Sequence, residues 1–335
     1  MIVFSLFQFL ISAAVILAAG IQLTKYADQL SDVLGLGKMW IGMILLGLIT
    51  SLPEAGSSMA AVAGFHAGDL AVGNIAGSNN FNLLLLVLMD IVYKQGALTN
   101  AVAYHRSHFL SAVFAMILAG MVIGEIAVGF FVRIPTFLGM SPAGLLIIGT
   151  FLYGMRRVYL SGGRTDTPAD AAGDRASGIP LGRIYLGLGL SAVCVVAAAV
   201  WLAGSADKLA QSTGLGRTFV GSLFLALATS LPEMVVTLSA LRIGQVDLAI
   251  GNIFGSNMIN IFLLSLCDPL MPGRALLQGV SAAHLVTLAT GVILTLIILQ
   301  GLRQSHKRRF WRLGWDSWMV LAVYAAGVAV LYVIK

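Results

Sequence analysis

Charged residues are scarce in this chain of 335 residues. Asp, Glu, Lys and Arg together make up 10% of it, whereas 59% of the residues are apolar and the mean hydropathy is +0.94. These values exclude a soluble globular domain and predict an integral membrane protein. About ten stretches are long enough to cross a ~30 Å hydrocarbon core, and they lie near residues 3–24, 38–62, 69–92, 108–131, 139–160, 183–205, 217–241, 247–266, 281–300 and 316–334.

Cysteine and histidine are also rare. The two cysteines, Cys194 and Cys267, lie in or at the end of apolar stretches, so we expect small buried residues rather than a disulfide or a metal site. None of the five histidines has HxxxH spacing, which argues against a transition-metal site. The first apolar stretch has no basic residue before Lys25, so we expect a helix there rather than a signal peptide.

The basic residues are distributed unevenly between the predicted connections. The sequence pI of about 9.5 does not indicate nucleic-acid binding, because these residues form no single patch with interleaved aromatics. With the N-terminus placed outside, five of the 20 Lys and Arg fall on the outer side: Arg133, Lys208, Arg217, Arg274 and Lys335. The other 15 fall on the inner side, so the positive-inside rule predicts that both termini face outward.

Two parts of the chain repeat each other. Residues 27–54 match residues 206–233 at a constant separation of 179, and both stretches end in TSLPE. The match resumes at a separation of 178, where DLAVGNIAGSNNFNLLLL from Asp69 aligns with DLAIGNIFGSNMINIFLL from Asp247. Such internal repetition predicts a fold made of two similar halves.

One long polar stretch, residues 161–180, separates the halves and is rich in Gly, Pro, Ser and Asp. We expect residues 1–160 to form a first five-helix repeat, residues 161–180 a cytoplasmic linker and residues 181–335 a second five-helix repeat. Because five is odd, the second repeat must enter the membrane from the opposite side. The sequence therefore predicts an all-α integral membrane protein of about ten transmembrane helices, arranged as two inverted five-helix repeats with broken helices at the midplane.

The TSLPE motif places a proline and a carboxylate deep inside an apolar run in both repeats. Pro53 and Pro232 each free the carbonyl four residues earlier, and lipid offers that carbonyl no donor. Glu54 and Glu233 are two of only three glutamates in the chain, and a carboxylate at the midplane costs at least ~3 kcal/mol, which indicates function. Their two charges and up to four oxygens suit a hard divalent cation such as Ca²⁺.

The second repeated motif supplies neutral oxygens. Its polar residues, spaced i, i+4 and i+8 on one helix face, are Asn74, Ser78 and Asn82 in the first repeat and Asn252, Ser256 and Asn260 in the second. Beside them lie two small-xxx-small steps, Gly73 with Gly77 and Gly251 with Gly255. Such steps let another backbone approach closely. We expect each motif to pack against the TSLPE helix of its own repeat.

The other acids that lie near predicted spans are not expected to form a site. Asp69 and Asp247 precede apolar runs and are predicted helix N-caps. Asp90, Asp268 and Asp316 lie near predicted helix ends, where we expect them to be solvated. Glu125 has no counterpart in the other repeat and is given no site role.

The paired motifs, TSLPE with GNIAGSNNFN and TSLPE with GNIFGSNMIN, resemble the α-repeats of the cation/Ca²⁺ exchanger superfamily, close to the prokaryotic sodium/calcium exchangers. The resemblance covers the whole chain. It implies an antiporter that extrudes Ca²⁺ by coupling to inward Na⁺, as a multi-pass protein of a prokaryotic cell membrane. Its partners would be the two ions and the lipid bilayer, and we expect no cofactor, nucleic acid or obligatory protein partner.

The resemblance also implies roles for individual residues. Glu54 and Glu233 would share the central Ca²⁺ site, completed by the backbone carbonyls of Thr50 and Thr229. The Na⁺ sites would use Ser51, Ser78 and the Gly47 carbonyl in one half, and Ser230, Ser256 and the Ala226 carbonyl in the other. Asn82 and Asn260 match the central polar position of that family, where well-known members carry Asp in place of Asn260. Because of this difference, the number of Na⁺ ions exchanged stays open.

The same residues bear on rival functions. In Ca²⁺/H⁺ antiport the same glutamates would carry protons, but the proton-coupled branch of the superfamily places an additional acid in the GN motif, and residues 75–77 and 253–255 contain none. This favours Na⁺, while a K⁺-dependent variant and transport of another divalent cation stay open. Nothing indicates the subunit-ring symmetry of a channel. An enzyme is not predicted, because Ser51 and Ser230 have no plausible His base and the chain has no HExxH motif.

Overall fold

A computed structural model describes residues 2–93, 106–162, 180–212, 228–303 and 313–334, which are helical and contain no β-strand. The α-helices of these ranges are α1 (Ile2–Leu34), α2 (Lys38–Ile41), α3 (Gly47–Phe65), α4 (Gly68–Val92), α5 (Arg106–Gly129), α6 (Pro142–Gly162), α7 (Leu181–Ser212), α8 (Leu231–Arg242), α9 (Val246–Leu266), α10 (Ala283–Arg303) and α11 (Trp315–Ile334). Within the described part of the chain, eight helical stretches are long and apolar enough to cross a membrane, and α2 to α3 counts as one of them.

The two TSLPE segments differ in backbone conformation. A π-helical segment, Gly42–Leu46, joins α2 to α3 without interruption, and α3 continues through Pro53. A π segment corresponds to one extra residue in a helical turn, so the irregularity of the first repeat lies before the proline. In the second repeat the helix is interrupted at Ser230, whose φ and ψ are −87° and 7°, and α8 begins at the next residue. Only the second segment is therefore interrupted within TSLPE itself.

The described chain divides into two compact units. The first consists of Met1–Pro53 and Gly162–Gly255, and the second of Glu54–Ser161 and Ser256–Lys335. The boundaries cut α3 just before Glu54 and α9 just after Gly255. Each unit thus combines helices from both sequence repeats.

Small side chains allow close helix packing in the first unit. Here α1 packs along α7 and against α8, around a buried cluster of Ile16, Ala198, Ala199, Leu202, Ala206, Ala228 and Val235. Gly187 on α7 has no side chain, which leaves room for the ring of Tyr26 on α1. Other faces of α1 and α7 expose large apolar residues such as Val3 and Val193, as expected where helices meet lipid rather than water.

In the second unit α10 packs against α4, α5 and α11. The Asn80 side-chain amide on α4 donates to the Thr287 carbonyl on α10 at 2.9 Å. Asp90, near the end of α4, accepts the N–H of Gly314 and the hydroxyl of Ser317, both at 2.9 Å. These bonds tie the segment that begins α11 to α4.

Two expectations about the acids are wrong. Asp90, Asp268 and Asp316 are buried rather than solvated, since Asp90 and Asp268 serve as acceptors for backbone N–H groups of other segments. Asp69 does not cap its own helix. Its carboxylate accepts the N–H of Ser281 at 2.7 Å and lies 3.0 Å from the His284 ring, so it orders the segment before α10 instead.

Candidate ion-binding residues

Glu54 lies within α3, at the point where the second unit begins, and it is completely buried. Neither of its carboxylate oxygens has a hydrogen-bond partner. A buried carboxylate is costly unless a cation or several donors compensate it. Glu54 is therefore available to a cation.

Asn74 on α4 fixes the backbone beside this glutamate. Its side-chain nitrogen lies 3.2 Å from the Glu54 carbonyl and 3.0 Å from each of the hydroxyls of Ser57 and Ser58. In the first repeat, the polar motif therefore packs on the TSLPE helix of its own repeat, as expected.

Four asparagines of α4 and α9, which we call the asparagine quartet, form a closed set of hydrogen bonds: Asn79, Asn82, Asn257 and Asn260. The Asn79 amide donates to the Asn257 carbonyl at 3.1 Å, and the Asn257 amide donates to the Asn79 carbonyl at 3.2 Å. Asn82 donates to the side-chain oxygen of Asn257 at 3.0 Å, and Asn260 donates to that of Asn79 at 2.9 Å. Each bond thus has an equivalent in the other repeat.

The quartet determines which atoms of Asn82 and Asn260 remain available. Their side-chain nitrogens are used as donors, and because an amide is planar, the oxygens are then fixed as well. Both oxygens are buried and have no hydrogen-bond partner. Asn79 and Asn257 are not among the predicted site residues, although their matching positions in the two repeats were a signal for a role.

Asn252 connects two segments of the first unit. Its side-chain nitrogen donates to the Thr237 hydroxyl on α8 at 3.0 Å, and its oxygen accepts the Thr50 hydroxyl of α3 at 3.3 Å. The Thr50 hydroxyl also lies 3.5 Å from the Gly47 carbonyl. The structure thereby places the predicted ligands Gly47 and Thr50 together, one turn apart on α3.

The remaining predicted ligands are buried where they are described. Thr229 and Ser230 lie just before α8 and Glu233 lies in its first turn, all in the first unit, and Ser78 and Ser256 lie in the second. Ala226 lies outside the described residues.

The glycines of α9 pack against a different helix from the one expected. A Cβ atom on Gly251 or Gly255 of α9 would overlap backbone atoms of Met39 or Met43, and one on Gly42 would overlap the Leu248 carbonyl. These α9 glycines therefore pack on α2 and the π segment of the first repeat, so the expectation that they contact the TSLPE helix of their own repeat is wrong. Glycines on both surfaces let these two backbones approach each other directly.

Buried oxygens without donors coincide with the predicted ion ligands. In the described part of the chain, side-chain oxygens that are buried and have no hydrogen-bond partner occur in six of them: Ser51, Glu54, Ser78, Asn82, Ser230 and Asn260. Such acceptors are rare in folded proteins. Among the residues described, no cluster of three or more His, Cys, Asp or Glu is suited to a metal. Apart from Glu54, the six residues offer neutral oxygens, and hard cations such as Na⁺ and Ca²⁺ prefer oxygen ligands.

The sequence model of a family described as Sodium/calcium exchanger protein matches the chain twice, over residues 4–154 and residues 183–333. The chain belongs to the sodium/calcium exchanger protein family. The double match supports two sequence repeats, and membership confirms the resemblance to the cation/Ca²⁺ exchangers. Proteins of this exchanger family are transporters, which confirms that the chain is not an enzyme.

The chain resembles two relatives in sequence. Inner membrane protein YrbG of Escherichia coli is 27% identical over 297 residues, which cover 85% of this chain and 88% of YrbG. The sodium/calcium exchanger MaX1 of Methanosarcina acetivorans is 33% identical over 146 residues, 43% of this chain and 39% of MaX1.

A solved structure of the sodium-calcium exchanger NCX_Mj matches the fold. It is 20% identical, has a TM-score of 0.72, and the match covers 98% of this chain and 99% of that one. This match confirms the predicted all-α membrane fold of helical repeats. The chain is thus a multi-pass exchanger-type membrane protein.

Proposed function

We propose that this protein is a secondary active antiporter that exchanges Ca²⁺ for Na⁺ by alternating access. The observation that carries the proposal is the coincidence of buried, donor-free oxygens with the repeated motif residues. The name of the relative MaX1, a sodium/calcium exchanger, supports the choice of ions.

Glu54 and Glu233 are proposed to bind one Ca²⁺ jointly, with the carbonyls of Thr50 and Thr229. Two carboxylates neutralise one divalent cation, and a site of hard oxygens suits Ca²⁺. This assignment is supported by the equivalent positions of the two glutamates in the sequence repeats and by the burial of both.

Sodium is proposed to bind at neutral oxygens next to the same carboxylates. One group comprises Ser51, Ser78 and the Gly47 carbonyl, and the equivalent group comprises Ser230, Ser256 and the Ala226 carbonyl. The oxygens of Asn82 and Asn260 are proposed to occupy the central position. Because Na⁺ and Ca²⁺ would share Glu54 and Glu233, binding of one ion excludes the other, and the Na⁺ gradient can drive Ca²⁺ movement.

The deciding experiment is ⁴⁵Ca²⁺ uptake into proteoliposomes under an outward gradient of Na⁺, of K⁺ or of H⁺. We expect uptake with the Na⁺ gradient only. Uptake driven only by the proton gradient would establish Ca²⁺/H⁺ exchange instead, and a requirement for K⁺ would establish a K⁺-dependent variant.

Substitution of either glutamate tests the site. Loss of one charge from a buried ion pair costs ~3–5 kcal/mol, so we expect Glu54→Gln or Glu233→Gln to weaken Ca²⁺ binding more than about 100-fold and to abolish uptake. Asp69→Asn, which changes a carboxylate with an exposed side chain, should retain uptake. Retained exchange in either glutamine variant would rule out the proposed site.

We also propose that the protein lies in a prokaryotic inner membrane with both termini outside. The excess of Lys and Arg in the predicted cytoplasmic connections supports this orientation, and the name of the relative YrbG, an inner membrane protein, supports the location.

A further inference from the structure

A second group of buried oxygens lies in the second unit, apart from the motif residues. Glu125 on α5 is 5% exposed, and its carboxylate oxygens accept no well-formed hydrogen bond, although the Ser141 hydroxyl lies close enough to stabilise the carboxylate. Asp268, just after α9, is 3% exposed and accepts the N–H groups of Ser141 and Leu276 at 2.5 and 2.6 Å. Asp268 is thus held in place by two backbone donors, whereas, among the described residues, Glu125 faces only the Ser141 hydroxyl.

Both acids line one small cavity together with Ser141 and Ser265, among apolar residues of α5, α6 and α9. Its volume is about 10 Å³, close to the space that a single water molecule or ion requires. The Ser141 hydroxyl accepts the Gly144 N–H at 2.9 Å, and the Ser265 hydroxyl donates to the Ile261 carbonyl at 3.2 Å. Each hydroxyl oxygen retains a lone pair for a cation.

No basic side chain of the described residues pairs with the two acids of this cavity. The ion pairs found in that part of the chain, such as those of Asp28 and Asp69, do not include Glu125 or Asp268. Two buried carboxylates at one cavity repel each other, and a divalent cation neutralises both, whereas Na⁺ leaves one charge.

We propose that Glu125 and Asp268, with the hydroxyls of Ser141 and Ser265, form a second cation site for a hard divalent ion such as Ca²⁺. Asp268 follows Asn260 by eight residues, which is about 12 Å along a helix, so this site is separate from the asparagine quartet. A bound ion would connect the end of α5, the segment before α6 and the segment after α9. Its role is to stabilise this part of the second unit, whatever ion the protein transports.

The test measures Tm in detergent as a function of Ca²⁺ in the double variant Glu54→Gln/Glu233→Gln, which lacks the proposed transport ligands. We expect a saturable rise of a few degrees, and we expect the further change Glu125→Gln to abolish it. Adding Asp69→Asn instead should leave the rise intact. In EDTA, Glu125→Gln should not lower Tm, because the amide oxygen can still accept from the Ser141 hydroxyl while the buried charge is removed.

The proposal is wrong if the double variant shows no rise, if Glu125→Gln leaves the rise unchanged, or if Na⁺ produces an equal rise. Should the double variant fail to fold, equilibrium dialysis with ⁴⁵Ca²⁺ on the otherwise unchanged chain decides. Glu125→Gln should then bind one ion fewer per chain, and equal stoichiometry would contradict the site. Loss of one ion in Glu125→Gln does not depend on the transport assignment, so the two proposals can fail separately.

Discussion

A side-chain amide carries a donor and an acceptor, and its neighbours decide which of them faces a ligand. In the asparagine quartet, Asn79 and Asn257 take up the donors of Asn260 and Asn82. We expect them to act as positioning residues, because they direct two acceptor oxygens without belonging to the predicted ligand set.

Asn79→Ala tests this role, with the adjacent Asn80→Ala as the matched control. Each change removes a buried side chain that donates to a backbone carbonyl, in the quartet or to Thr287. Loss of such a bond costs ~1–3 kcal/mol, so both variants should unfold at lower denaturant concentration. Only Asn79→Ala should also raise the Ca²⁺ concentration for half-maximal uptake, by roughly tenfold, as is usual when a residue that orients a ligand is lost.

An equal change of this concentration in the two variants would contradict the positioning role. It would show that the quartet affects uptake only through stability.

At the scale of elements, two predicted spans agree closely with the helices, whereas α1, Ile2–Leu34, extends ten residues beyond the predicted stretch 3–24. The stretches at 69–92 and 247–266 correspond to α4, Gly68–Val92, and α9, Val246–Leu266. Membrane thickness fixes the length of an apolar run, so composition alone determines these bounds. The predicted ligands Glu54, Ser78 and Asn82 were easy to single out in the sequence, because polar residues inside such runs are few, and all three are buried.

Helix contacts were less predictable. A GxxxG step indicates that another backbone approaches, but it does not identify that backbone. Gly251 and Gly255 pack on Met39 and Met43, far away in sequence. The cavity beside Glu125 was missed for the same reason, since its acids come from different helices and only the fold brings them together.

The glycines also provide a prediction about stability. Gly255→Ala places a methyl group against the Met43 backbone, whereas at Gly77, its counterpart in the first repeat, no described atom lies within 4 Å of the new Cβ. Overpacking costs ~1–3 kcal/mol, and removal of a helical glycine gains up to ~1 kcal/mol. We expect Gly255→Ala to lower Tm and Gly77→Ala to leave it unchanged or raise it.

Thermal unfolding of the two purified variants checks this prediction. Equal loss of stability would mean that the equivalent glycines of the two repeats have the same packing.

At the scale of the whole molecule, the charge bias predicts how the chain is oriented. Alkaline phosphatase is active only outside the cytoplasm and green fluorescent protein fluoresces only inside it. We expect phosphatase activity from a fusion after Lys335 and fluorescence from an insertion within residues 161–180. A fluorescent fusion after Lys335 would contradict the orientation.

The asparagine quartet has a consequence for motion. Four hydrogen bonds between amide groups in a water-poor interior are costly to break, because each lost partner leaves a buried polar group unsatisfied. The helical segments that carry Asn79 and Asn257 should therefore move as one rigid body while ions bind and leave. Spin labels placed on these two segments should report one constant separation throughout the transport cycle.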